Sequence, residues 1–218
     1  MQNVWATVLV FLGGFAIMVL EIVGARFLAK DFGSSFYVWV SQIGVVMIAL
    51  ACGYYAGGVL ADRFKRTAFL AVLLVPAAVL TFFIPEYAGV LVDAIITRHR
   101  VGEPIPAVWQ KLDPALGSGL IFLVPCFALA TLSPYMIRVS TSALGHVGRV
   151  SGWIIAASTA GSIAGVFVSG DVLIEHLTLS GIFRATGLLT AVLGIACILL
   201  DPYFRDGEAG CKRPVPES

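Results

Sequence analysis

Apolar residues in this chain fall into long, nearly uninterrupted runs, each closed by a cluster of charges, glycines or prolines. The first extends from Val4 to about Leu28 and is broken only by Glu21 and Arg26. After the turn Lys30-Asp31-Phe32-Gly33-Ser34-Ser35, a second run reaches from Phe36 to about Leu60, where Asp62, Arg63, Lys65 and Arg66 end it. A third covers Ala68 to Ile84 and stops at Pro85 and Glu86. The fourth (115–136), fifth (150–174) and sixth (179–200) follow. Runs of about 20 residues suit helices crossing a hydrocarbon layer roughly 30 Å thick, and no stretch alternates long enough for a barrel strand. The pattern therefore predicts an all-α transmembrane protein, a six-helix bundle.

Between the third and fourth runs, residues 87–114 are the longest polar stretch. They hold an amphipathic piece around Val90, Leu91, Ala94 and Ile95, which reads as a surface helix followed by a loop. Pro125 and Pro134 predict bends in the fourth span. Residues 201–218, rich in Gly, Pro and charge, read as a disordered cytoplasmic tail. The first run lacks a basic leader and is too long for the core of a cleavable signal.

Composition sharpens this. Of 218 residues, 59% are hydrophobic and 12% charged, and the mean hydropathy is +0.95. A single core of this size cannot hide that much apolar surface, so membrane lipid is the expected partner. A net charge of +1 excludes electrostatic attraction to nucleic acid. Cys52, Cys126 and Cys197 lie inside apolar runs and read as small buried residues, with Cys211 a free thiol in the tail. With the N-terminus inside, the inner loops and tail hold Arg63, Lys65, Arg66, Arg138, Arg149, Arg205, Lys212 and Arg213 against Lys30, Arg98, Arg100 and Lys111 outside. Eight against four predicts both termini in the cytoplasm of a multi-pass membrane protein.

Sliding the chain by 112 positions aligns Arg26 with Arg138, Glu21 with Ser133, Gly53 with Gly165 and Gly58 with Gly170. Either the coincidence reflects abundant glycine, or spans one to three repeat as spans four to six. Three being odd, the second half would then be inverted, the arrangement of many transporters.

Candidate chemistry rests on polar residues within the spans. Glu21 is the sharpest, because a charged side chain at mid-membrane costs about 2.5 to 3.5 kcal/mol on insertion scales unless it meets a partner or water. Two roles are open to it: a site for a cation or proton, or a structural pair with Arg138 or Arg184. Arg26, about 140° around the same helix, is a poor partner. Gln42, Tyr54 and Arg138 complete the candidate substrate- or ion-binding set. Small residues in spans two and five, among them Gly53, Gly57, Gly152, Ala156, Gly161 and Gly165, are expected to pack helices closely. Asp171, Glu175 and His176 close span five as a solvated turn or a weak cation mouth. There is no HExxH and no clustered His and Cys, so no metal, no cofactor and no enzyme working alone are expected.

The segment Gly58-Val-Leu-Ala-Asp-Arg-Phe-Lys-Arg66 resembles the cytoplasmic signature loop of major facilitator transporters, in which a glycine, an aspartate and basic residues hold neighbouring helices together; Lys65 stands where that signature has glycine. More broadly, Glu21 to Ala29 (EIVGARFLA), Phe32-Gly33-Ser34, Tyr37-Val-Trp39, Gly53 to Gly58 (GYYAGG), Asp62-Arg63, Ser133-Pro134 with Arg138, Gly148-Arg149-Val-Ser-Gly152 and Thr159-Ala-Gly-Ser162 with Gly165 resemble the membrane part of bacterial fused spermidine synthase-like proteins. The resemblance covers spans one to five. It implies a half major-facilitator-like bundle and a polyamine-like, cationic solute. In those proteins an aminopropyltransferase domain follows the membrane part, whereas 18 residues follow Leu200 here, so that domain is expected to be absent and no catalytic residue carries over. Two functions follow: a module that transports or presents a small cation, alone or as a homodimer, or an anchor for a separately encoded soluble synthase on the cytoplasmic face.

Overall fold

The computed structural model describes residues 2–33, 36–64, 66–99, 105–141 and 147–204. Nine helices account for most of them: α1 (Gln2–Phe32), α2 (Phe36–Phe64), α3 (Leu70–Phe82), α4 (Ile84–Thr97), α5 (Ala107–Ala130), α6 (Leu132–Ser140), α7 (Val147–Phe167), α8 (Ile174–His176) and α9 (Leu179–Leu199). A short 3₁₀ turn, Thr67–Phe69, leads into α3, and a π-helical turn, Val168–Leu173, joins α7 to α8. No strand occurs among the described residues. Ser34, Lys65, Arg100, Cys211 and the tail segment 205–218 lie outside them.

Five stretches are long and apolar enough to cross a membrane: Val4–Phe32, Phe36–Phe64, Ala107–Ser140, Val147–His176 and Leu179–Leu199. The pair Thr67–Phe82 and Ile84–Thr97, bent by 72°, makes a sixth when counted as one span. The protein is thus a multi-spanning all-α membrane bundle of five or six long apolar helices. Its outer surface carries Phe36, Met47, Val72, Leu120, Phe167 and Leu199 in exposed positions, which suit lipid and not water.

The breaks follow from proline chemistry. A proline ring clashes with the carbonyl four residues earlier and offers no N–H. Pro85 therefore stops α3 at Phe82, and the chain turns at Phe83. Helix α4 is amphipathic, but it buries Ile84, Ala88, Val92 and Ile95, a four-residue stripe beginning at the Pro85 bend; of the expected Val90, Leu91, Ala94 and Ile95 only Ile95 is buried, Leu91 is half-buried, and Val90 and Ala94 are exposed. Pro134 likewise separates α5 from α6 at Thr131. Pro125 does not interrupt α5, and α5 begins at Ala107, eight residues before the expected start of the span. Residues 201–204, expected within the disordered tail, instead add a helical turn: Phe204 is buried, and Asp201 Oδ1 accepts from Thr67 Oγ1 and from the Ala68 N–H, both at 3.2 Å.

Three pairings organise the bundle: α1 lies along α7, α2 along α5 and α6, and α3 along α9. Helices α1 and α5 are central, whereas α2 and α7 are covered on one side only. Each pairing is a close backbone approach at glycines. A Cβ on Gly53 would stand 2.6 Å from the Phe127 carbonyl oxygen, one on Gly57 2.6 Å from that of Thr131, and one on Gly165 2.6 Å from that of Phe15. Gly161 is pressed still closer on the Phe11 carbonyl, and Gly187 meets the backbone of Phe82 at 2.7 Å.

Gly152 and Ala156 depart from expectation. Both are exposed, and a Cβ on Gly152 would meet open space. The physical reason is angular drift. A four-residue step overshoots a turn by about 40°, and the nine residues from Ala156 to Gly165 rotate about 180°, so the 148–160 stripe faces away from the contact that Gly161 and Gly165 make. Cys52, expected to be buried, is exposed on α2.

We expect Gly161→Leu to lower stability by about 1–3 kcal/mol or prevent folding, while Gly152→Leu stays within about 0.5 kcal/mol. Thermal unfolding of the two purified variants in mild detergent distinguishes them.

Candidate functional site

Glu21 lies four residues, ~6 Å, past the middle of α1, within the stretch Val4–Phe32 that is long and apolar enough to cross a membrane. It is partly exposed and has no hydrogen bond or ion pair to any described residue. Gly14, seven residues earlier and within about 20° of the same face, abuts the Ser158 carbonyl and the Ser162 hydroxyl of α7. On its other side the carboxylate is within electrostatic reach of Cys126 on α5. Two turns away from Glu21, at the level of Gly14, small hydroxyls join α6, α7 and α1: Ser133 Oγ donates to Ser158 Oγ at 3.1 Å, and Ser162 Oγ to the Gly14 carbonyl at 3.3 Å.

The arginines available to neutralise Glu21 are engaged elsewhere. Arg138 donates from Nε to Asp62 Oδ1 at 2.5 Å, joining the end of α6 to the end of α2. Arg184 donates to Glu86 Oε1 at 2.7 Å, joining α9 to α4. Arg26 is exposed with no ion pair among the described residues. Arg138 thus does not share a site with Glu21. It ties α6 to α2 through Asp62.

Gln42 is fully buried and ties three helices together. Ser118 Oγ of α5 donates to its Oε1 at 2.6 Å, and its Nε2 donates to the Leu20 carbonyl of α1 at 3.5 Å. Gly24 makes room for it, since a Cβ there would stand 2.6 Å from Nε2. Its polar atoms are committed to neighbouring helices and turned from any open face. Tyr54 is exposed on α2 and makes no hydrogen bond to the described residues. Asp171, Glu175 and His176 are exposed, and His176 Nδ1 is 2.9 Å from the Val172 carbonyl within its own turn.

Two polar clusters escape a reading of the chain alone. Asp113, in the stretch read as a loop, is buried within α5, where it pairs with Arg98 and stands 2.7 Å from His99 Nε2; Arg98 also lies over the Trp109 ring at 4.3 Å. At the other end, the buried Tyr135 hydroxyl donates to the Arg66 carbonyl at 2.6 Å. Together with the contacts of Asp201, this clasps the connection between α2 and α3. No local pattern marks Asp113 or Tyr135, because their partners come from other elements.

Among the described residues no three His, Cys, Asp or Glu side chains converge as a metal site would require. The candidate set therefore resolves into one unpaired acid, Glu21, one buried tie, Gln42, one clasp, Arg138, and one outward-facing phenol, Tyr54.

Gln42→Ala should cost about 1–3 kcal/mol by leaving the Ser118 hydroxyl and the Leu20 carbonyl without their partner. Combined with Ser118→Ala, the loss should fall short of the sum of the two single losses, a coupling read by denaturation of all four proteins of the cycle. No family model matches the chain, and neither a curated protein nor a solved structure is significantly similar to it.

Proposed function

We propose that the chain is a transporter-like membrane module that binds a small cationic solute at Glu21 and carries or presents it. One observation carries this reading: Glu21 keeps a carboxylate within an apolar span, partly accessible and unpaired among the described residues, while Arg138 and Arg184 are bonded to Asp62 and Glu86. The anchor reading needs Glu21 only to neutralise an arginine, and the geometry offers it none. An acid kept within an apolar span and without an arginine partner favours a role in binding a cation or proton. The resemblance to the membrane part of spermidine synthase-like proteins gives a polyamine as the first solute to try.

The same reading takes the bundle as a half-facilitator built from inverted halves. The helix pairing supports it. Exchanging spans one to three with four to six turns the α1·α7 pairing into α5·α2 and returns α3·α9 to itself. The contacts follow at a shift of 112: Gly53 abuts the carbonyl of Phe127, and Gly165 that of Phe15, which are the same two positions in each half. In this reading the open sides of α2 and α7 face a cavity completed by a second copy, the termini are cytoplasmic, and the aminopropyl chemistry belongs to another chain.

The test is uptake of labelled polyamine into proteoliposomes. Glu21→Gln should reduce flux by more than about tenfold, the effect of deleting one member of a charge pair, with elution profile and thermal midpoint unchanged. Equal flux from a well-folded variant would remove Glu21 as the site.

A further inference from the structure

At the end of the bundle where α1 and α7 begin and α6 ends lies a cleft of about 1020 Å³. Its walls are mostly apolar, with Val4, Val8, Trp153 and Ile154 among them, and its polar groups are few. Trp153 Nε1 donates to Thr7 Oγ1 at 2.8 Å, bracing α1 against α7. Arg149, in the first turn of α7, lines the cleft, is exposed and has no ion pair or hydrogen bond to the described residues. Ser140, the last residue of α6, also lines it. That residue is 8% exposed, and its Oγ is a buried side-chain oxygen without a hydrogen-bond partner among the described residues.

These features have one chemistry in common. The first turn of a long helix presents backbone N–H groups and a partial positive charge, which favour an anion. Arg149 adds a full positive charge with planar donors suited to phosphate. A buried hydroxyl without a partner is an uncommon feature that a bound acceptor would satisfy. The surrounding walls, however, are mostly apolar, with Val4, Val8 and Trp153 exposed, which suits acyl chains and not a free inorganic ion. Arg63 and Arg66, exposed at the same end of the bundle, add to the positive field.

We propose that this cleft is a binding site for an anionic phospholipid. The phosphodiester sits between Arg149, the first turn of α7 and Ser140 Oγ, and an acyl chain runs along Val4, Val8 and Trp153. The site is separate from Glu21 and does not depend on the function proposed for it.

The full chain is reconstituted into phosphatidylcholine vesicles in which a minor fraction of lipid is either brominated phosphatidylglycerol or brominated phosphatidylcholine. Quenching of Trp153 is taken as the difference between the wild type and Trp153→Phe. Brominated phosphatidylglycerol should be preferred by about fivefold, the contribution of one interfacial cation. In Arg149→Gln the preference should fall to about one. Ser140→Ala, which removes one hydroxyl and leaves the packing in place, should reduce it partially and serves if Arg149→Gln does not reconstitute. Equal quenching by the two lipids in the wild type, or a preference that survives both substitutions, would overturn the proposal. Relief of quenching by millimolar inorganic phosphate would also overturn it, in favour of a free anion.

Discussion

The structure rests on backbone approaching backbone. In lipid, side-chain burial gives helices little reason to associate, since the hydrocarbon around them is as apolar as their own surfaces, and association comes from close packing at small residues. Gly161 and Gly165 bring α7 onto the carbonyls of α1, Gly53 and Gly57 bring α2 onto those of α5 and its continuation, and Gly187 brings α9 onto α3. Everything else is placed by these three contacts. They make α1 and α5 central, and they leave α2 and α7 covered on one side only.

Polar groups then divide by whether that packing supplies a partner. Gln42 finds Ser118 and the Leu20 carbonyl, Arg138 finds Asp62, Arg184 finds Glu86, and Asp113 finds Arg98 and His99. Most of these ties cross between spans distant in the chain, so they hold a particular arrangement of helices and not merely individual helices. The exposed pairs add little to stability by themselves. Their larger consequence is for Glu21: by engaging Arg138 and Arg184, they leave it without an ion pair among the described residues.

The long helices were legible in the chain because crossing a membrane demands a length of apolar residues that few other structures need. The stop at Pro85 was legible too, as it depends on neighbours in sequence, but the inward face of α4 was not: of Val90, Leu91, Ala94 and Ile95 only Ile95 is buried. Less was legible where identity and surroundings part. Gly152, Ala156, Gly161 and Gly165 share one composition and one helix, yet two face outward and two carry the contact with α1. Asp113 looked like a loop residue because it stands near the end of the longest polar stretch, and it became a buried acid because Arg98 and His99 fold back upon it.

Within the candidate set the same division holds. That Glu21 lies in a span, and that such an acid is costly there, follows from its neighbours on either side alone. Whether it would be paired depended on where Arg138 and Arg184 found their own partners, more than sixty residues away in the chain at Asp62 and Glu86. Gln42 reads as a polar group available to a solute until Gly24 and Ser118 are brought against it. Apolar length and helix-breaking residues act over one or two turns, so the chain by itself determined a multi-spanning helical protein and the register of its polar positions. Hydrogen bonds and ion pairs act over about 3 Å between segments the chain keeps far apart, so only the tertiary structure decided which of those positions are satisfied and which, Glu21 among them, are left without a partner among the described residues.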